Sequence, residues 1–176
     1  MVSAGKGGTV YLVDRDNMGG FNASADQIVQ ELPSIFPNNL GIEGGNFSSP
    51  VYFNGSVYFA PVAGPVQAFT LTNGLLSTSP TSQTSQTYNG RGGTMSISAS
   101  GASNGILWTL QTGGAGVPGI LHAYDATDLS RELYNSNQAG TRDTLDAWSK
   151  FTVPVVANGQ VFVTSTSQLT IYGLLP

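Results

Sequence analysis

Residues 50–59 read PVYFNGSVYF, and residues 154–163 read PVVANGQVFV. Each places Asn-Gly, at 54–55 and again at 158–159, between two runs of alternating apolar residues. A tight hairpin turn of the I′ kind needs positive φ at both central positions, which Asn and Gly tolerate best, so both stretches predict β-hairpins. SISASGASNGILW (96–108) reads as a third hairpin whose enlarged turn keeps Asn104-Gly105.

A second family of segments aligns without gaps: GTVYLVD (8–14), GPVQAFT (64–70), GILHAYD (119–125) and SQLTIYG (167–173), with starts 56, 55 and 48 residues apart. Three of the four follow one of the hairpins. The full unit is therefore strand, Asn-Gly turn, strand, longer Gly/Pro loop, strand, short turn, strand. Residues 48–80 show it best, with Thr72-Asn73-Gly74 as the last turn. A four-stranded meander recurring roughly every 50 residues is the pattern of a β-propeller blade, whereas solenoid coils run shorter, about 20–30 residues.

The expected fold is all-β: a β-propeller fragment of four-stranded antiparallel blades. The repeat frame gives a partial blade at 1–36, full blades at 47–80 and 94–136, and a partial blade at 151–176, thirteen strands in all. One segment is ambiguous. SADQIVQELPSIF (24–36) has Ser24 and Gln27 in capping-box spacing with apolar residues at 28, 29 and 32, as a helix would. The repeat frame places a fourth strand at 27–32 instead.

Composition agrees with a packed β domain. Only 9% of the 176 residues are charged, against about 25% in an average domain, yet 40% are hydrophobic and 17 are aromatic. A net charge of −4 and six Lys plus Arg leave no electropositive footprint for nucleic acid or an anionic membrane. No apolar run approaches the ~18 residues of a membrane helix. With no cysteine, disulfides and thiolate chemistry are excluded. The N-terminal MVSAGKGGTV does not read as a signal peptide, while a surface rich in Ser, Thr and Asn leans toward an exported parent.

The repeat unit P-V-x-x-N-G-x-V-[YF]-[FV], followed by G-x-[VL]-x-A-[FY]-D, resembles the quinoprotein-like propellers, whose repeats are named for the pyrroloquinoline quinone dehydrogenases. GILHAYDATD (119–128) is similar to that family's strand running into an Asp-headed turn, and KFTVPVVANGQVFVTSTSQLTIYGLL (150–175) looks like a terminal repeat. The resemblance covers roughly three blades of a fold that has six to eight. The Trp that commonly ends a repeat is missing from its places, since Trp108 and Trp148 lie elsewhere, and no adjacent cysteine pair exists. Pyrroloquinoline quinone is therefore not carried over, and no cofactor is expected. Members lacking those features look like scaffold or binding proteins.

An open arc of blades leaves apolar faces in water. The simplest closure is a homodimer or higher ring, with two arcs of about three blades forming one ring of about six. Head-to-tail pairing would let the N-terminal piece, short of inner strands, and the three-stranded C-terminal blade complete each other.

Charge placement singles out candidate site residues. Residues 44–90, 92–121 and 151–176 contain no Asp, Glu, Lys or Arg, and eight of the sixteen formal charges fall between Asp125 and Lys150. The only histidine, His122, is followed by Asp125 and Asp128. Residues three apart on a strand face opposite sides, so His122 shares a face with Tyr124 and not with Asp125. His122 also aligns with Tyr11, Gln67 and Thr170, a slot that reads as a half-exposed packing position. It acquires a site role only if another strand brings a carboxylate to its face. Asp125 aligns with Asp14 and Thr70, where a short acceptor holds the following turn.

The connections between blades are expected to converge on a channel mouth. They would bring Glu43, Arg91, Arg142, Asp143, Asp146 and Lys150 together, with Trp148 as a stacking platform or a cap on a blade junction. The leading expectation is a non-catalytic binding or scaffold module that contacts a small anionic ligand through Arg142, Arg91, Glu43 and Trp148. The alternative is a promiscuous metal-assisted hydrolase of ester or phosphoester bonds. There Asp143 and Asp146 would hold a divalent cation, and His122 or Lys150 would supply acid–base help. The surface reading of the same charges is an ion-pair network worth under ~1 kcal/mol per pair.

Overall fold

The computed structural model describes residues 1–37 and 44–174, and every regular element among them is a β-strand. The first sheet has the order β1-β2-β3: β1 (Val2–Ala4), β2 (Val10–Leu12) and β3 (Gln30–Leu32). The second runs β4 (Val51–Phe53), β5 (Ser56–Phe59), β6 (Gln67–Thr72) and β7 (Leu75–Leu76), with β8 (Ser82–Gln83) also pairing β6. The third is a meander of β9 (Gly93–Ser100), β10 (Ser103–Gln111), β11 (Ile120–Asp125) and β12 (Asp128–Asn135). The fourth contains β13 (Val155–Ala157), β14 (Gln160–Thr164) and β15 (Leu169–Tyr172). All neighbouring strands are antiparallel.

The all-β class thus stands, with four antiparallel sheets and four local differences from the repeat frame. β8, at Ser82–Gln83, gives the second sheet a fifth strand beyond the expected 47–80 unit. Residues 2–4 form a strand that the repeat frame does not contain, so the first sheet has three strands rather than two. The ambiguous 24–36 segment is strand at Gln30–Leu32, where Leu32 enters the core beside Val10. Asn104-Gly105 is not a turn: it lies inside β10, at a register shift between Ser103 and Ile106. Gly105 is needed for space there, because a Cβ would stand 2.4 Å from Phe53 Cε1. The other Asn-Gly pairs do form turns with left-handed φ, 44° and 83° at Asn54-Gly55 and 51° and 73° at Asn158-Gly159.

Three apolar cores join the sheets in sequence, and strand alternation decides which side chain serves which core. On β5, Val57 and Phe59 meet Val10, Leu32 and Phe36 of the first unit, while Tyr58 turns to the opposite face and meets Met95, Leu107 and Tyr124 of the third sheet. On β10, Leu107 faces the second sheet, whereas Leu110 packs with Leu121 against Val161 and Val163 of the fourth. Both faces of the second and third sheets are therefore buried. Burying each large apolar side chain contributes about 1.5–3 kcal/mol.

Hydrogen bonds tie the same junctions. Gln30 bridges the first two sheets like a strand residue, donating Nε2–H to Leu76 O (2.9 Å) and accepting from Leu76 N–H (2.8 Å). Tyr58 Oη–H donates to Ala126 O at 2.7 Å, and Leu129 N–H donates to Ser82 Oγ at 2.8 Å. Tyr172 Oη–H donates to Asp143 O (2.8 Å), closing the third unit on the fourth.

Candidate functional site

Two polar centres emerge, one buried in a sheet junction and one open at the ends of the strands. The buried centre is built on β11. His122 and Tyr124 share a face, as alternation requires, and their rings stack 5.7 Å apart at 12°. Tyr88, which follows β8, lies against the same imidazole with centroids 5.4 Å apart. His122 is consequently 4% exposed, not the half-exposed residue that the repeat alignment suggests. The equivalent Tyr11, Gln67 and Thr170 are half-buried.

A carboxylate does reach His122 from another strand. Glu132 on β12 places Oε1 2.6 Å from His122 Nδ1, and Gln111 Oε1 lies 3.0 Å from His122 Nε2. The contacts continue outward. Gln86 donates Nε2–H to Glu132 Oε2 (3.4 Å) and accepts from Tyr124 Oη–H (3.3 Å); Tyr88 Oη bonds Thr109 Oγ1 and lies 3.3 Å from Tyr124 Oη. Burial depresses the His122 pKa, partly opposed by its hydrogen bond to Glu132. Burial likewise raises Tyr88 well above its ordinary value and Tyr124 to about 12, so both hydroxyls stay protonated at neutral pH. A carboxylate only accepts, so neutral His122 donates from Nδ1. Nε2 then accepts from the Gln111 amide nitrogen once that amide turns over.

Asp125 and Asp128 play no part in this cluster. Asp125 Oδ1 accepts from Thr127 N–H (2.9 Å) and Thr127 Oγ1–H (2.6 Å), and its Oδ2 accepts from Arg131 (2.6 Å). Asp128 holds Ser130 N–H at 3.0 Å in the same manner. These are turn-holding acceptors, the role the repeat alignment assigns to Asp125.

The open centre is a shallow hollow lined by Phe47, Ser48, Arg91, Thr94, Thr112, Trp148 and Phe151, with Gly93 at its floor. Three equivalent connections meet here, those leading into β4, β9 and β13. Phe47 is flanked by two cations, Lys6 Nζ at 5.2 Å and Arg91 Cζ at 5.7 Å from its ring centroid. Arg91 N–H donates to Thr112 Oγ1 at 3.1 Å. Trp148 Nε1–H donates to Gly114 O (2.8 Å), and Trp148 pairs with Ser165 of the fourth unit. The indole thus caps a sheet junction and lines the hollow as well. Phe151 has φ 62° with 60% of its surface exposed, an outlier for a bulky side chain.

Of the residues expected at the mouth, Arg91 and Trp148 meet in this hollow, while Arg142, Asp143, Asp146 and Lys150 do not line it. Glu43 lies outside the described residues. Arg142 pairs with Asp143 through Nε–H to Oδ1 (2.6 Å) and Nη2–H to Oδ2 (2.9 Å), and Tyr134 Oη–H donates to the same carboxylate at 2.6 Å. The Arg142 hydrogen bond, then that from Tyr134, holds the Asp143 pKa down at about 2. Asp146 bonds Ser167 Oγ and Ala147 N–H, which lower its pKa. Lys150 is exposed. Among the described residues no three His, Asp or Glu side chains stand together as a metal-ligand group.

A concavity of about 790 Å³ is a different feature: an open groove between Met1, residues 12–16 and Val29 on one side and Leu71 with residues 73–75 on the other. Of its charged side chains, Asp14, Arg15 and Asp16, the last two are over three-quarters exposed and pair with each other at 3.1 Å. It lacks the aromatic walls of the hollow. Comparison of the chain with family models, curated proteins and solved structures finds no match.

Proposed function

We propose that the chain is a non-catalytic binding or scaffold module of the quinoprotein-like propeller type, working as a homo-oligomeric ring, and that its ligand contacts lie in the Phe47–Arg91–Trp148–Phe151 hollow. One observation carries this reading. Three equivalent inter-sheet connections deliver aromatic faces and a guanidinium to one place, and one of them holds Phe151 exposed at a strained φ of 62°. Backbone strain of this kind costs on the order of 1–3 kcal/mol and persists only where surrounding structure imposes it.

The chemistry suits a small, flat anion lying across the mouth of the hollow, whose own volume is only about 10 Å³. Trp148, Phe47 and Phe151 offer ring faces, Arg91 offers positive charge, and Ser48, Thr94 and Thr112 offer hydroxyls. Nothing in the hollow is placed as a nucleophile with its base. Asp143 and Asp146, the carboxylates of the hydrolase alternative, are occupied by Arg142, Tyr134, Ser167 and Ala147.

Titration with benzoate, followed by tryptophan fluorescence in a Trp108→Phe background, tests the reading. A saturable change that Arg91→Ala weakens at least tenfold supports it. The absence of any saturable change with benzoate up to millimolar concentrations sinks it.

A further inference from the structure

The repeat equivalences fix which face of each sheet packs on the next. In the first sheet Val10 and Leu32 pack on the second; in the second, Val51, Tyr58, Val66 and Ala68 pack on the third; in the third, Trp108, Leu110 and Leu121 pack on the fourth. Aligning the hairpins and the strands after them makes Val155, Phe162, Leu169 and Ile171 the fourth sheet's counterparts of Val51, Tyr58, Val66 and Ala68. The observed register agrees: Val155 opposes Phe162, which opposes Ile171, as Val51 opposes Tyr58 and Tyr58 opposes Ala68.

In the second sheet this set lies in the core, with Val66 and Tyr58 at 0% and 1% exposure. In the fourth, Val155, Leu169 and Ile171 are 56%, 58% and 51% exposed. No Asp, Glu, Lys or Arg occurs in residues 151–176 to make that face a solvated one. The counterparts of Leu169 and Ile171 are buried in every other unit (Val10 and Leu12, Val66 and Ala68, Leu121 and Ala123), and a contiguous apolar face at such positions is an interaction surface.

The face that receives such a set is also specified. In the second sheet it carries Val57, Phe59 and Phe69, and in the fourth Val161, Val163 and Tyr172. The first sheet's counterparts are Met1, Ser3 and Val13, joined by Tyr11 and its neighbour Val29. Here too the face is bare, with Met1 and Val29 exposed and Tyr11 and Val13 half-exposed.

We infer that the outer face of the fourth sheet, Val155, Phe162, Leu169 and Ile171, docks on the outer face of the first sheet, Met1, Tyr11, Val13 and Val29, of a second copy of this chain. The inference rests on the ring assembly proposed above and replaces its strand-completing mode with face-to-face packing. The first sheet already has three strands because of β1, so a three-stranded fourth sheet does not complete it edge to edge. The contact joins unlike surfaces, so each copy gives one face and receives one.

A chain without cysteine permits a direct test. Ile171→Cys and Tyr11→Cys variants are mixed and mildly oxidised. The expected product is a disulfide-linked pair of twice 18.3 kDa containing one of each variant, with no comparable product from either variant alone. Equal cross-linking within the Ile171→Cys sample overturns the proposal, as does failure of the mixture to cross-link. Light scattering on the unaltered chain separates the two levels. A mass of twice 18.3 kDa without mixed cross-linking keeps the assembly and refutes this surface, whereas a single-copy mass at high concentration refutes both.

Discussion

Glu132 Oε1 stands 2.6 Å from Nδ1 of His122, one strand away in the same sheet and under the cover of Tyr88. The pair converts the only histidine from a surface residue into part of the junction between the second and third sheets. Burial lowers its pKa against the opposing pull of Glu132. An unfolded histidine, near pKa 6.5, takes up its proton at a higher pH than the folded one. The stability that neutral His122 contributes is therefore full above about pH 6.5 and is lost as pH falls below that value. Thermal melts from pH 7 to 5 should show a declining Tm for the native chain and a flatter profile for His122→Gln. An unchanged slope in that variant would remove His122 from the account.

Asp143 operates in a lower window. Held at about 2 by Arg142 and Tyr134, its carboxylate contributes stability above the ordinary carboxylate range, and that contribution disappears as pH falls toward 2. Asp143→Asn should raise the midpoint of acid unfolding followed by circular dichroism while leaving the pH 5–7 slope, which belongs to His122, unaltered. Loss of the pH 5–7 slope in Asp143→Asn would contradict this division.

The hydrogen bonds inside the junction should be costly to remove. Tyr88→Phe deletes a hydroxyl that bonds Thr109 Oγ1 and neighbours Tyr124 Oη, leaving buried polar atoms without it. A loss of about 1–3 kcal/mol is expected from denaturant titration. Leu107→Ala, in the same core, should lose about 2–5 kcal/mol. If Tyr88→Phe were neutral, the buried cluster would not be holding the sheets together.

Gly105→Ala tests the point where the repeat pattern misleads. The added Cβ would press on the Phe53 ring, at 2.4 Å from Cε1, so the substitution should cost about 1–3 kcal/mol. A turn glycine at this position would instead give the smaller backbone effect seen at an exposed loop tip. Gly55→Ala, in open space with φ 83°, serves as the comparison: it should cost about 1 kcal/mol.

The sheets were legible because hairpin chemistry and period-two alternation are local. Val57, Tyr58 and Phe59 show their opposite faces in the sequence itself, and the gapless alignment of 64–70 with 119–125 and 167–173 carries the same faces into the other units. The site was less legible, for a geometric reason. With Asp125 opposite Asp128, an unbroken hairpin would set Arg131 against His122. Two register shifts along β11 and β12 instead set Asn135 opposite His122 and Glu132 opposite Tyr124. Bulges leave no reliable mark on composition, so Glu132 was invisible as the partner. Gln86, Gln111 and Tyr88 are likewise brought in by the way the sheets pack. Arg91 and Trp148 meet in one hollow, as the equivalence of the connections implies. Arg142 and Asp143 did not, because Tyr134 and Tyr172 hold that loop against the third and fourth sheets.

We propose that ligand is held at the open hollow and that the buried histidine cluster is structural. Two-dimensional NMR of the labelled chain during benzoate titration reads both places at once, through the Trp148 indole N–H, bonded to Gly114 O at 2.8 Å, and through the His122 ring. The expected result is a saturable shift of the Trp148 signal and the Arg91 amide with the His122 ring signals unmoved. A saturable shift at His122 with Trp148 silent would contradict it.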